Sequence, residues 1–253
     1  MSVVEVDILR KDSQVDGSFN NGEILEKKPI GFPQDGGILK PYSNIFYWAH
    51  AWTPNQKSTI GLHPHKGFEI CSFILSGSIN HYDTKQEKWI SLKKNDVQII
   101  RSRGGISHAE ELLETSEIFQ IWFDPDISKS IRKEASYDDY SDNDFISKKS
   151  DGIIKKIIVG KGSKMKMDTK DIEIYEFIVT QNKTLKFPFR KGSIYSCFII
   201  KGKLKFNDDD LTKGDFFKFV STDKFFITAI SDLKLFVIKS PVKPNYKTYF
   251  ERG

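Results

Sequence analysis

The sequence predicts an all-β fold of two tandem β-barrels with few short helices. Its 20 phenylalanines and nine tyrosines occur with many isoleucines in short apolar runs. Gly, Asn and Asp separate these runs at the spacing typical of antiparallel barrels and sandwiches, and long helical periodicity is absent from the sequence. An internal repeat indicates that the barrel occurs twice. The clearest runs are FEICSFIL, DVQIIR, EIFQIWF, EIYEFIV, SIYSCFII, DFFKFV and KLFVIK.

The two halves of the chain share an ordered series of short motifs. "HPHKGFEICSFILSGSI" at 63–79 aligns with "FPFRKGSIYSCFIIKGKL" at 187–204 once one residue is inserted beside the glycine. Further on, "SLKKNDVQII" aligns with "DLTKGDFFKF", which places Asp96 opposite Asp215. Because both halves keep the same order of motifs, we interpret them as a duplicated domain.

Composition also predicts where the two domains meet. The stretch after residue 125 is rich in Asp, Ser and Lys and has few apolar anchors, which is typical of a surface connector. We therefore expect an N-terminal domain at 1–125 that carries the site, a connector at 126–150 and a C-terminal domain at 151–253 that lacks metal ligands.

Charge and composition argue against several partner classes. The net charge of +5 comes from scattered lysines, and no basic stripe predicts direct nucleic-acid binding. No apolar run reaches the length of about 20 residues that a membrane span needs, and the N-terminus does not resemble a secretory signal. A cytoplasmic location is therefore expected. Cys71 and Cys197 lie in apolar runs, so we expect two small buried side chains and no disulfide.

The histidines supply the strongest chemical signal. Since successive side chains of a strand point to opposite faces, His63 and His65 are expected on one face, and His108 and Glu110 share a face in the same way. Three neutral imidazoles and one carboxylate that converge inside a barrel form a site for a divalent transition metal. Fe(II) is the expected metal, with Mn, Ni, Cu or Zn as alternatives.

The second repeat serves as an internal control for this interpretation. Phe187 and Phe189 stand where His63 and His65 stand in the first repeat, and the second half of the sequence contains no histidine. If the imidazoles only filled a barrel interior, phenylalanine would serve equally well. One repeat is thus expected to keep ligands and the other only packing.

Several landmarks together resemble the pirin family of the cupin superfamily. They are "HPHKGFE", "HYD", "NDVQ", "SRGGISHAE" and "QIWF", and the specific likeness covers roughly residues 30–125. Pirins are bicupins, so the resemblance implies two cupin (jelly-roll) barrels with one metal in the N-terminal barrel. Matching the family motif residue by residue implies His63, His65, His108 and Glu110 as its ligands. The family usually has Pro-Gly-Asp before "VQ", whereas this chain has Lys-Asn-Asp; asparagine tolerates the positive φ of that turn.

Other side chains near the motifs leave alternatives open. Glu111 replaces Glu110 as the inward carboxylate if a β-bulge shifts the strand. Glu69 is expected to face the same interior as His65 and to act either as a hydrogen-bond acceptor around the ligands or as an acid or base. His81 is expected to orient a ligand or line the pocket, with a surface hairpin position as the alternative. His50, between two tryptophans, is a pocket candidate or a core histidine.

The resemblance also implies a reaction. Several pirins are associated with quercetin 2,3-dioxygenase activity, so a flavonol-type aromatic compound and dioxygen are the expected substrates, with Glu110 or Glu69 accepting the substrate's proton. Other pirins bind transcription factors or metabolic enzymes. The alternative hypothesis is accordingly a metal- or redox-sensing regulatory protein that acts through a protein partner.

Overall fold

Residues 6–187, 190–220 and 225–252 are described by a computed structural model in which most regular structure is extended. Helices in this part of the chain are single turns, at Lys11–Ser13, Asn20–Gly22, Pro33–Asp35 and Asp142–Asp144, with α1 at Ile127–Ser130 and α2 at Tyr249–Arg252. None of them has the length or apolar character to cross a membrane. The strands are β1 (Val6–Leu9), β2 (Val15–Phe19), β3 (Ile24–Ile30), β4 (Ile45–Trp52), β5 (Ser58–His65), β6 (Glu69–Ser76), β7 (Ser78–Asp83), β8 (Trp89–Lys93), β9 (Val97–Arg101), β10 (Ile106–Leu112), β11 (Glu117–Phe123), β12 (Ser136–Tyr140), β13 (Ile146–Ser150), β14 (Ile153–Val159), β15 (Glu173–Val179), β16 (Thr184–Phe187), β17 (Ser193–Lys201), β18 (Lys203–Phe206), β19 (Asp209–Thr212), β20 (Phe216–Val220), β21 (Phe225–Ala229) and β22 (Leu233–Pro241).

These strands form two units of the same topology. In the N-terminal unit a seven-stranded antiparallel sheet has the order β12-β9-β6-β11-β4-β3-β2, and a four-stranded sheet has the order β5-β10-β7-β8. In the C-terminal unit the corresponding orders are β1-β20-β17-β22-β15-β14-β13 and β16-β21-β18-β19. Ten consecutive strands, β2 to β11, are thus repeated in order by β13 to β22, as the aligned sequence motifs predict.

The units do not follow the predicted domain boundaries. The N-terminal unit comprises Gln14–Asn143, Met167–Lys170 and Asn245–Gly253, and the C-terminal unit comprises Met1–Ser13, Asp144–Lys166 and Asp171–Pro244. The first strand of the chain, β1, pairs with β20 and therefore completes the second unit. The predicted connector at 126–150 contributes β12 to the first unit and β13 to the second, because its few apolar side chains are sufficient for edge strands.

Equivalent turns in the two units have the same backbone chemistry. Asp96 accepts a hydrogen bond from the backbone N–H of Lys93 at 3.0 Å, and Asp215 accepts one from Thr212 at 2.9 Å. The residue before each aspartate has a positive φ, 73° at Asn95 and 92° at Gly214. Asparagine therefore adopts the left-handed conformation expected of it here, and the aspartate carboxylate satisfies the turn.

Apolar side chains of both sheets fill each unit. In the C-terminal unit a single large cluster of buried residues includes Phe206, Phe217 and Phe219, which are fully buried. Cys71 and Cys197 are both free and buried, as predicted, and burial raises the pKa of each thiol well above its ordinary value. The two cysteines therefore serve as small apolar side chains.

The repeated turn allows a matched stability test. Asp96→Ala removes the acceptor of a part-buried backbone donor, which we expect to lower the free energy of unfolding by about 1 kcal/mol. Asp215 also accepts from the Lys11 N–H at 2.9 Å and pairs with Arg10 at 3.2 Å. Asp215→Ala should therefore cost about 2–3 kcal/mol. Urea unfolding followed by circular dichroism measures both, and equal losses would contradict the contribution assigned to Arg10 and Lys11.

Candidate metal centre

The pairing of β5 with β10 brings three imidazoles together. In this antiparallel pair His63 lies opposite His108, and His65 lies opposite Ile106. The ring centroids of His63 and His108 are 4.5 Å apart, and those of His65 and His108 are 4.8 Å apart. One ring nitrogen from each of the three histidines lies within 4.8 Å of the others. We call these three side chains the imidazole cluster.

Glu110, not Glu111, is the inward carboxylate. A β-bulge does occur here, but β10 runs in continuous register along β7, and the extra residue lies in β5, where Ile60 instead of Gly61 pairs with Glu110. Glu110 is therefore on the face of His108 and is 1% exposed. Glu111 turns outward, where hydrogen bonds from Asn80 and Lys57 lower its pKa despite some burial.

Two side chains of the seven-stranded sheet hold Glu110. Gln120 donates to its Oε2 at 2.6 Å, and Ser72 donates to its Oε1 at 3.3 Å. The amide oxygen of Gln120 in turn accepts from the indole N–H of Trp122 at 3.2 Å. Each oxygen of this buried carboxylate thus has a donor, which fixes its orientation beside His108.

His81 forms a second, overlapping group with His108 and Glu110, whose ligand atoms also lie within 4.8 Å of one another. Its Nε2 lies 3.0 Å from Asp83, and both side chains are fully buried. Because the carboxylate can only accept, Nε2 of His81 carries a proton. His81 is therefore a buried part of the site and not a surface hairpin residue. Glu110 belongs to this second group and not to the group of His63 and His65. The four predicted ligands therefore do not all lie within 4.8 Å of one another.

The environment disfavours the protonated form of two of the imidazoles, His65 and His108. Burial, followed by repulsion from His108 and His63, lowers the pKa of His65 from 6.5 to about 3. Burial also holds the pKa of His108 well below its ordinary value, with further lowering by His63 and His81 and an opposing effect of Asp83. Neutral imidazole is the form that binds a metal. Burial therefore favours the form of His65 and His108 that can bind a cation.

The free ring nitrogens fit a metal. Among the described residues, the buried Nε2 of His65, the Nδ1 of His81 and both ring nitrogens of His108 have no hydrogen-bond partner. At His63 the Nδ1 lies 2.8 Å from the carbonyl oxygen of Gly61, which only accepts, so the lone pair is on Nε2. Buried polar atoms are normally satisfied, and a divalent metal would satisfy several of these at once.

Glu69 was predicted to face the same interior as His65, but in the structure it does not face the imidazole cluster. Its Oε1 accepts from the backbone N–H of Asp168 at 2.7 Å, and its Oε2 accepts from the backbone N–H and the hydroxyl of Thr169 at 2.8 and 2.5 Å. The prediction assumed that side chains alternate without interruption from His65 to Glu69. The turn at 66–68 between β5 and β6 interrupts this alternation. Burial raises the pKa of Glu69, opposed by these hydrogen bonds. Glu69 is therefore a structural carboxylate in the N-terminal unit.

His50 is also away from the cluster. Its ring packs against Trp52 and Phe119, with centroids 5.4 and 5.6 Å away, and its Nε2 lies 3.6 Å from Glu117. As predicted, His50 lies on the same face of β4 as Trp48 and Trp52. The opposite face of β4 bears Tyr47, which packs beside Trp122. The core-histidine alternative describes His50 correctly.

Sequence reasoning missed Gln120, Ser72 and Asp83. Asp83 had a readable signal, since it follows His81 at the same two-residue spacing that identified the other pairs. Its second oxygen accepts from the backbone N–H groups of Lys85 and Gln86 at 2.8 and 2.7 Å, so the turn after β7 fixes the carboxylate that orients His81. Gln120 and Ser72 had no such signal, because only the pairing of β11 with β6 brings them to Glu110.

Comparison with known families agrees with this fold. A family model described as Pirin matches residues 40–123, which includes the imidazole cluster and Glu110. A second model, described as Quercetinase C-terminal cupin domain, matches residues 162–239. The chain belongs to the pirin family.

Curated relatives match over short segments. A pirin-like protein of Caulobacter vibrioides is 42% identical over 65 residues, which are 25% of this chain and 28% of that protein. The quercetin 2,3-dioxygenase of Escherichia coli K12 is 33% identical over 69 residues, covering 26% of this chain and 29% of that enzyme. The chain thus spans less than a third of the length of these two relatives.

A solved structure shows the same pirin fold over nearly the whole chain. The bacterial pirin YhhW from Escherichia coli, in complex with nickel(II), has a TM-score of 0.79 and 17% identity, and the match covers 94% of this chain and 99% of that one. At this identity the likeness concerns the fold of two tandem cupin domains. Together with the His and Glu cluster, the fold points to a divalent metal.

Metal content tests the cluster directly. We expect about one equivalent of divalent metal in the wild-type protein, measured by elemental analysis after anaerobic reconstitution. His63→Ala should lose it, because one of three converging nitrogens is removed. Phe187→Ala, the equivalent position of the second repeat, is the matched control and should keep it. Retention of a full equivalent in His63→Ala would contradict the site.

The lowered pKa of His65 predicts a pH dependence of stability in the metal-free protein. Between pH 6.5 and about 3 the unfolded chain binds a proton that the folded histidine does not, so stability is lost as the pH falls through this window. From about pH 7 to about pH 5 we expect His65 to contribute a loss of about 1–2 kcal/mol. His65→Gln should flatten the dependence by that amount in urea unfolding. An unchanged slope would show that His65 is not buried in its neutral form.

Proposed function

We propose that this pirin is a metal-dependent dioxygenase of flavonol-type aromatic substrates, as in quercetin 2,3-dioxygenases. The observation that carries the proposal is the convergence of three imidazoles beside an oriented carboxylate, Glu110. His63, His65 and His108, with Glu110, would hold the metal. When bound there, a divalent metal such as Fe(II) supplies a Lewis acid for an enolic oxygen and redox chemistry for dioxygen.

The aromatic residues beside the cluster supply a surface for a flat substrate. Phe68 stacks on Trp122 with ring centroids 4.9 Å apart, and the two centroids lie 5.3 and 5.2 Å from that of His65. Phe68 also lines a cavity of about 770 Å³ with Phe32 and Phe46. A polyphenol ring in this cavity would pack on Phe68, whose own ring contacts that of His65.

Glu110 is the residue best placed to accept a substrate proton. Its two oxygens are oriented by Ser72 and Gln120, so the lone pairs that remain have fixed directions. The His81–Asp83 pair fixes a second side chain of the same group, the His81 imidazole. General-base catalysis by such a positioned group contributes typically about 10²–10⁴-fold in rate.

Two isosteric variants separate catalysis from structure. With quercetin and the reconstituted protein, oxygen uptake should fall by about 10²-fold or more in Glu110→Gln, because the amide cannot accept the proton. Glu69→Gln should keep its metal and its rate within about threefold. It should melt at lower temperature, because an amide nitrogen would face the Thr169 donors at a cost of about 1–3 kcal/mol.

The outcomes distinguish the hypotheses. A Glu110→Gln protein that keeps its metal and the wild-type rate would eliminate Glu110 as the base. A wild-type protein that holds its metal but takes up no oxygen with quercetin would eliminate the flavonol dioxygenase. The metal-sensing regulatory protein, with its protein partner, would then be the hypothesis to test, by comparing partner binding of the oxidised and reduced forms.

A further inference from the structure

The C-terminal unit, which has lost the histidines, contains a cavity of its own. Its volume is about 420 Å³, within the range of small-molecule sites. Four aromatic side chains line it, namely Tyr175, Phe177, Phe187 and Tyr195. Phe187 packs against Phe177 and Tyr195 with centroid distances of 5.7 and 5.5 Å. The cavity therefore presents aromatic surface of the kind that holds a planar ring.

This cavity lies at the position of the metal centre in the repeated topology. In the N-terminal unit His63 pairs with His108 across β5 and β10. In the C-terminal unit Phe187 pairs with Phe225 across the equivalent strands β16 and β21. The cavity of the C-terminal unit is thus lined by the strand equivalent to the one that bears His63, with an apolar ring in place of the imidazole.

The cavity of the C-terminal unit is lined by cationic side chains, whereas the metal centre of the N-terminal unit has metal-ligating side chains. Among the described residues that line the cavity, cations outnumber carboxylates by three. Glu173 is the central carboxylate, and it is already paired with Lys239 at 2.7 Å and Arg190 at 3.1 Å. An excess of positive charge in a partly enclosed space favours an anion. The cations are Lys148, Lys155, Lys186, Arg190 and Lys239, and the carboxylates are Asp151 and Glu173.

Among the described cations that line the cavity, Lys155 is the half-buried one that pairs with no carboxylate, since Lys148 and Lys186 are exposed. Its Nζ lies 3.7 Å from the ring centroid of Tyr175 and 5.7 Å from that of Phe177, and no carboxylate of the described residues lies within 4.0 Å of it. Burial lowers its pKa, Glu173 opposes this, and Arg190 and Lys148 lower it further. A half-buried ammonium on an aromatic face, surrounded by like charges, would gain most from an anionic ligand.

We propose that this cavity of the C-terminal unit binds a small aromatic carboxylate. The carboxylate pairs with the Lys155 ammonium, next to Lys239 and Arg190, and the ring packs on Tyr175 and Phe187. A strongly hydrated inorganic anion gains nothing from the aromatic walls, whereas a neutral ring leaves Lys155 unpaired. The site uses none of the metal-centre residues, so it stands independently of the dioxygenase proposal.

Calorimetric titration of 2-hydroxybenzoate into the full-length, metal-free chain tests the site. We expect one equivalent to bind with a Kd of about 1 mM or tighter. Lys155→Met should weaken binding at least about tenfold, whereas Lys155→Arg, which keeps the charge, should stay within about threefold. Lys156→Met is the matched control, because Lys156 is the next residue of β14 and pairs with Glu176 at 3.7 Å, away from the cavity.

Further arms exclude other sources of binding. Arg190 has a half-exposed side chain at the cavity, so Arg190→Met should fold and should weaken binding severalfold even if Lys155→Met unfolds. His63→Ala should leave binding unchanged. Benzyl alcohol and inorganic phosphate should each bind at least about tenfold more weakly. The proposal fails if no binding is seen, if Lys155→Met and Arg190→Met bind normally, if His63→Ala abolishes binding, or if either control compound binds equally well.

Discussion

The antiparallel register of β5 against β10 is the constraint on which the candidate site depends. It places His63 opposite His108, and the alternation of side chains adds His65 on the same face. A one-residue slip would turn these imidazoles to the other face of the sheet. The extra residue in β5 is absorbed without such a slip because β10 stays in register with β7, which keeps Glu110 beside His81.

Burial then gives the cluster its chemistry. Removing imidazoles from water disfavours their protonated form, and their mutual repulsion acts in the same direction, so neutral lone pairs face one another. The cost of burying these unpaired nitrogens is offset only by a cation that accepts several of them. Around the imidazoles, Asp83 hydrogen-bonds with His81, and Gln120 and Ser72 donate to Glu110. The main contribution of these three side chains is to orient His81 and Glu110.

The two units show how one topology supports two kinds of site. Both keep the aspartate-capped turn and the same strand order, since these features maintain the fold. On the equivalent strands β5 and β16 the first unit has imidazoles, and the second has a phenylalanine with lysines near it. This replacement converts a place for a cation into one with excess positive charge. The repeated topology gives the two sites equivalent strands. The side chains that differ between the units change the charge of the ligand that each site suits.

The sequence by itself determined the β class, the duplication and the histidine pairs, because these follow from local periodicity and repeated motifs. His63 and His65 are two residues apart on one strand, so alternation alone gives their common face. The alignment of the repeats put Phe187 and Phe189 at the positions of His63 and His65. Phe187 lies on the strand equivalent to that of His63, whereas Phe189 lies outside the described residues. The aspartate turns were likewise readable from Asn95-Asp96 and Gly214-Asp215.

Only the tertiary structure decided the roles of Glu69, His50 and the edge strands. The acceptor role of Glu69 depends on Thr169, 100 residues later, and no local pattern predicts such a contact. The face of His50 is set by which neighbours β4 pairs with, not by its flanking tryptophans. The edge pairing of β1 with β20 joins the start of the chain to the second unit for the same reason. Side-chain periodicity specifies a face within one strand, whereas contacts between distant segments are fixed by the packing of the whole unit.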